Sequence, residues 1–159
     1  MKQRVVSLSD FGPAENMSLI EADIPTPGNG QIVVKNNAIG LNYLDTYFRS
    51  GLYPWPNNND IKIPGSEGVG YIHAVGSDVL DFKEGDRVSY VTPVGAYAEY
   101  AIINAAHAAK INVEVEDHDV VACTLKGLTT HYLLHLTTKV TPGMTTLVHA
   151  AAGGVGQLM

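Results

Sequence analysis

The chain has 159 residues, a formal net charge of −6, 45% apolar and 16% charged residues, and 16 glycines and 8 prolines spread along its length. This composition excludes a disordered chain and matches a turn-rich folded protein with one main domain. No cluster of Lys or Arg is present to bind phosphate backbones or anionic lipid, and no apolar run approaches a membrane span, so nucleic acid and membrane are excluded as partners.

The opening "MKQRVVSLSDFG" carries charges but no apolar stretch leading to a cleavage site, which predicts a cytoplasmic location. "QIVVKNNAIG" sets Ile32, Val34, Asn36 and Ala38 against Val33, Lys35, Asn37 and Ile39, the period-2 pattern of a strand over a core. In "LNYLDTYFRSG", Leu41, Leu44, Tyr47 and Phe48 recur at helical spacing and Gly51 ends the run, so a short helix is expected. "GVGYIHAVG", "GDRVSYVTP" and "GAYAEYAII" then read as short strands bounded by Gly, Asp or Pro. Strands at this spacing predict a partly open antiparallel barrel or sandwich.

After about residue 115 the character changes. "EVEDHDVVACTLKGLTTHYLLHLTTKVTPG" has no β alternation and opens with acids that suit a helix N-terminus. Two consecutive helices are expected there, the second over 125–136, closing near Lys139 and Pro142. Its single cysteine, Cys123, excludes an intrachain disulfide and any cysteine-built zinc site, and is most simply a small core residue. "TTLVHAA" then reads as a buried strand of the parallel-sheet type over 145–149. Glycines and the first residues of a helix follow directly.

That final turn carries the clearest chemistry. "AAGGVG" fits A-x-G-x-x-G, in which a bare Gly153 lets backbone N–H groups approach a pyrophosphate and Gly156 allows tight helix packing. The strand before it and the helix after it are the context this motif needs, although a plain glycine-rich turn reads the same way. His131 and His135 in "HYLLH" share a helix face at i, i+4. A metalloprotease would need Glu where Tyr132 stands, and no third ligand is near, so no metal is expected. His73, His107, His118 and His149 show no ligand spacing. Glu114, Glu116, Asp117 and Asp119 read as a solvated helix start, and Asn42 with Asp45 reads as a helix cap.

Taken in order, "NNAIGLNYLDTYFRSGLYP", "IPGSEGVGYIHAVG", "FKEGDRVSYV", "GAYAEYAII", "LKGLTTHYLLH" and "LVHAAAGGVGQ" resemble the zinc-independent quinone oxidoreductases, the zeta-crystallin-like branch of the medium-chain dehydrogenase/reductase superfamily. The resemblance runs through essentially the whole chain. It implies a mainly β fold with some α: a GroES-like, partly open β-barrel substrate domain over 1–124, then over 125–159 a connecting helix and the first β-turn-α of a truncated Rossmann domain. It implies hydride transfer from NADPH to a quinone without zinc, since Asn42 and Ser66 stand where zinc-dependent alcohol dehydrogenases carry Cys and His ligands.

By motif, the resemblance implies Asn42 and Tyr47 beside the nicotinamide and the quinone, with Tyr53 lining the same cleft. Lys126 and Thr129 of "KGLT" would face the cofactor, and Ala152, Gly153, Gly154 and Gly156 would form the pyrophosphate turn. Asp45 and Arg49, at i, i+4, are expected to pair as ions on the short helix. Only three residues follow Gly156, so the chain is expected to be the N-terminal portion of such an enzyme and inactive by itself. The family's dimer interface would then be absent, leaving an exposed C-terminal strand open to partner-dependent association. Two other functions remain open: a non-catalytic GroES-like binding or assembly module, and reduction of an enone or alkenal by the same hydride chemistry.

Overall fold

In the computed structural model, which describes residues 1–159, the strands form two antiparallel sheets. β1 (Lys2–Leu8) pairs with β2 (Met17–Asp23), with Val5 opposite Ile20. The larger sheet holds β3 (Gln31–Ile39), β4 (Glu67–Val75), β5 (Arg87–Val91), β6 (Tyr100–Asn104) and β7 (Ala108–Lys110) in the order β6-β3-β4-β5-β7. Bridges from Val5 to Ala98 and from Leu8 to Lys62 tie the small sheet to loops of the large one.

The predicted strands carry the core. Ile32 and Val34 from β3, Ile72 from β4, Val88 and Tyr90 from β5, and Ala101 and Ile103 from β6 form one buried cluster, each large apolar side chain contributing about 1.5–3 kcal/mol by leaving water. Val33 is fully buried as well, so β3 is covered on both faces over its first half and shows alternation only beyond Val34. The stretch "GAYAEYAII" becomes strand only at Tyr100. Before it the backbone turns at Gly95 (φ 106) and bonds back to the carbonyls of Pro64 and Gly65.

The short helix forms as predicted. α1 (Tyr43–Ser50) opens at Asn42 in extended conformation and ends at Gly51, whose φ of 77° is the left-handed cap that glycine adopts without strain. Asp45 accepts a hydrogen bond from the Asn42 backbone N–H at 2.9 Å, the reciprocal contact of a capping box. The expected Asp45–Arg49 ion pair is not formed. Asp45 is buried on the barrel side, while Arg49 Nε donates to the Gly12 carbonyl at 3.1 Å.

Beyond the barrel Cys123 is exposed on its helix and not a core residue, and two further expectations are corrected. Instead of two helices there is one, α2 (Asp117–His131), continuing into a π-helical turn over Tyr132–Thr137. Nothing in "DHDVVACTLKGLTTH" interrupts it, since Gly127 is tolerated inside a helix. The second correction is that no strand forms over 145–149. A strand needs a neighbour to take its backbone groups; none lies alongside, and Leu147 is 84% exposed. The chain closes with a 3₁₀ turn over Gly156–Leu158.

Candidate functional site

A tight turn aims the site. Gly65 holds φ at 96°, and a Cβ there would strike the Tyr97 ring. The next two residues are buried, and alternation along a strand sends neighbouring side chains opposite ways, so each serves a different cluster. Ser66 reaches Asp45, and Glu67 reaches Asn42 and α2.

The first cluster is a carboxylate with its donors. Asp45 accepts from Ser66 Oγ at 2.5 Å, from the Tyr97 hydroxyl at 2.8 Å and from the Asn42 N–H at 2.9 Å. Burial, reinforced by Asp45 alongside, pushes the Tyr97 phenol well above its ordinary range, which keeps it a hydrogen-bond donor. A cleft of about 310 Å³ opens beside this cluster, lined by Asn42, Tyr43, Thr46 and Tyr97 among others.

The second cluster centres on Glu67, which is completely buried. Its Oε1 accepts from Asn42 Nδ2 at 2.8 Å and from Lys126 Nζ at 3.1 Å, and its Oε2 accepts from the Leu125 N–H at 2.8 Å. Lys126 Nζ also donates to Asn42 Oδ1 at 3.0 Å. A buried carboxylate is tolerable only with such compensation. Room for it is made by Gly40, since a Cβ at that position would land on the Glu67 side chain. Of the residues singled out in the sequence, Asn42 and Lys126 therefore meet directly. Glu67 was missed, although an acid between glycines in the apolar run "PGSEGVG" was a legible signal of a buried, partnered carboxylate.

The glycine turn reaches the same place. Thr130 Oγ1 lies 3.4 Å from the Val155 carbonyl, and a Cβ on Gly154 would sit 2.7 Å from Lys126 Cδ, so the Lys126 stem packs where Gly154 has no side chain. Gly153 donates to the Ala150 carbonyl at 2.8 Å and the Ala152 carbonyl accepts from Gln157 Nε2 at 2.6 Å. A Cβ at Gly156 would hit Ala150 and Ala151. The N–H groups of Gly154 and Val155 have no acceptor within the chain. Two N–H groups without an acceptor, beside the Lys126 stem, form a donor set that suits a pyrophosphate.

The remaining candidates make no hydrogen bond to the side chains of this cluster. The tilted rings of Tyr47 and Tyr53 lie 5.3 Å apart between centroids, with Tyr43 and Phe48 extending the aromatic patch over α1, and the cap residue Asn42 links that helix to Glu67 by a hydrogen bond. Thr129 spends its hydroxyl on the Leu125 carbonyl of its own helix. His131 and His135 are neighbours at 4.9 Å between ring centroids. No group of three His, Cys, Asp or Glu side chains converges on a metal position. A cavity of about 700 Å³ opens elsewhere, between the 56–61 loop, Gln31 and Tyr100, and contains none of the predicted residues. No helix is long and apolar enough to cross a membrane.

Residues 28–113 match the family model of the alcohol dehydrogenase GroES-like domain. The chain is 42% identical over 160 residues to a probable quinone oxidoreductase of Schizosaccharomyces pombe, a match covering all of this chain and 48% of that protein. Its fold is similar to that of the quinone oxidoreductase of Pseudomonas syringae, with a TM-score of 0.93 at 45% identity, covering 99% of this chain and 48% of that one. It is also similar to the Escherichia coli quinone oxidoreductase solved in complex with NADPH, with a TM-score of 0.86 at 37% identity, covering 98% and 47%. The chain spans about half the length of the relatives it matches.

Proposed function

The chain belongs to the alcohol dehydrogenase GroES-like domain family, and we propose that it is the N-terminal portion of an NADPH-dependent quinone oxidoreductase, with a substrate domain over 1–124 and a link to a dinucleotide-binding unit over 125–159. The observation that carries this reading is the convergence of Asn42, Glu67 and Lys126 beside the glycine turn at Gly154. Such a cluster offers donors to a reduced carbonyl oxygen next to a place for a pyrophosphate.

In this reading the backbone of Ala152, Gly153, Gly154 and Gly156 holds the pyrophosphate, with the free N–H groups of Gly154 and Val155 as donors. Lys126 and Thr129 face the cofactor. Bound NADPH would supply a hydride and carry the redox chemistry. Asn42 and Tyr47 lie beside the nicotinamide and the substrate, and Tyr53 lines the same cleft. Their N–H and O–H groups stabilise the oxygen anion that a quinone develops on reduction, and a quinone needs little further acid-base help. No residue of the set acts as a nucleophile.

The 159 residues by themselves are expected to turn over no quinone. The test compares the chain alone with the chain joined to the second half of the E. coli relative, following NADPH oxidation with duroquinone as acceptor. Turnover in the joined protein alone supports the reading. Turnover by the isolated chain would overturn the expected inactivity, and a folded joined protein that neither binds NADPH nor reduces the quinone would favour a non-catalytic binding module. A cytoplasmic location goes with this proposal and is checked by cell fractionation.

A further inference from the structure

Glu67 is the most deeply buried acid of the chain, and its hydrogen bonds use up most of the polar capacity around it. Asn42 Nδ2 commits one hydrogen to Glu67 Oε1, and an amide nitrogen carries two. Lys126 Nζ commits one hydrogen to Glu67 Oε1 and one to Asn42 Oδ1, and an ammonium carries three. Each group therefore keeps a single uncommitted N–H. Because both nitrogens lie within 2.8 and 3.1 Å of the same carboxylate oxygen, the two remaining donors are neighbours.

The same contacts leave Asn42 one orientation. Exchanging its oxygen and nitrogen would set an N–H against the Lys126 ammonium and a carbonyl oxygen against the Glu67 carboxylate, two repulsive contacts in a buried place. Gly40 keeps the Glu67 side chain in position by having no Cβ, and Gly154 does the same for the stem of Lys126. We infer that Glu67 is a positioning residue: it orients the Asn42 amide and the Lys126 ammonium so that one N–H of each is offered to the carbonyl oxygen of an electron-poor substrate. The identity of that substrate rests on the quinone reading above, whereas the orientation stands on the hydrogen bonds alone.

The experiment uses the ¹⁵N-labelled 159-residue chain, its E67Q variant and a Lys126→Met variant, with duroquinone as probe because its fully substituted ring does not alkylate Cys123. In the wild type one side-chain amide hydrogen of Asn42 exchanges slowly and its partner fast, and duroquinone shifts the signals of Asn42 and Lys126. E67Q, whose neutral amide oxygen accepts more weakly than a carboxylate, is expected to narrow the gap between the two exchange rates and to weaken the duroquinone response about tenfold or more, as loss of a hydrogen bond's charge assistance does. Lys126→Met, at a half-buried position, removes only the donor to Asn42 Oδ1, so the bond to Glu67 should keep one Asn42 hydrogen slow; equal rates in this variant would overturn the inference even should E67Q fail to fold. A folded E67Q protein with the wild-type exchange pattern overturns the inference. If the wild-type pattern is present but duroquinone moves neither residue, the quinone reading falls and the orienting role of Glu67 stands.

Discussion

Asp45 contributes far more than a helix cap. Its carboxylate takes three donors, from Ser66, Tyr97 and Asn42, while itself being buried. Asp45→Ala strands two hydroxyls and a backbone N–H, each costing about 1–3 kcal/mol when left unpaired, and part is recovered by water entering the cleft beside it. A net loss of about 3 kcal/mol in urea denaturation is expected, against under about 1 kcal/mol for Arg49→Met. Equal losses would restore the ion pair that helix spacing pointed to. The contrast marks what a sequence shows at this scale. The cap was legible because its partners are three residues apart. The partners of Glu67 were not, because they lie 25, 58 and 59 residues away, and no local pattern encodes that distance.

Among the elements, α2 is held to the barrel at both ends of its first half. Arg87 on β5 bonds the Asp117 carboxylate and the carbonyls of Val113 and Val115, and Asn37 on β3 donates to Asp117 at 2.7 Å. The Asn37 hydrogen bond, with the Arg87 guanidinium, holds the Asp117 carboxyl below the usual carboxylate range despite some desolvation. With its folded pKa below the unfolded value of about 3.9, Asp117 contributes stability that is complete above that value and disappears as pH falls through the folded pKa. The melting temperature of Asp117→Asn should therefore trail the wild type by a constant amount from about pH 5 to 8, and the gap should close below about pH 4. Two glycines test the packing of elements further. A Cβ at Gly127 meets nothing, so Gly127→Ala should stabilise α2 by about 0.5–1 kcal/mol in thermal melts. A Cβ at Gly70 would land on the Lys35 carbonyl in β3, so Gly70→Ala should lower the melting temperature. The continuity of α2 was missed because apolar periodicity locates helices well and their boundaries poorly when no strong breaker intervenes.

For the molecule as a whole, order falls off along the chain. The barrel is held by a buried cluster drawn from four strands, whereas the 138–155 stretch has no regular element and exposes Met144 and Leu147. Limited proteolysis should cut first within 138–152 and leave the barrel with α2 resistant; initial cleavage inside β3 or β4 would contradict this. NADPH should slow the cut if the glycine turn holds a pyrophosphate. Local pattern was enough to locate α1, its cap at Asn42 and its stop at Gly51, and the strands around Ile32, Ile72 and Val88, because alternation, capping and turn chemistry act over a few residues. The ordered blocks that matched a family were equally legible, and the family match followed. What waited for the three-dimensional arrangement was the Asn42–Glu67–Lys126 cluster and the state of residues 145–149. A buried carboxylate takes its partners from whichever elements the fold brings beside it, and an apolar run becomes a strand only when another strand lies there to receive its hydrogen bonds.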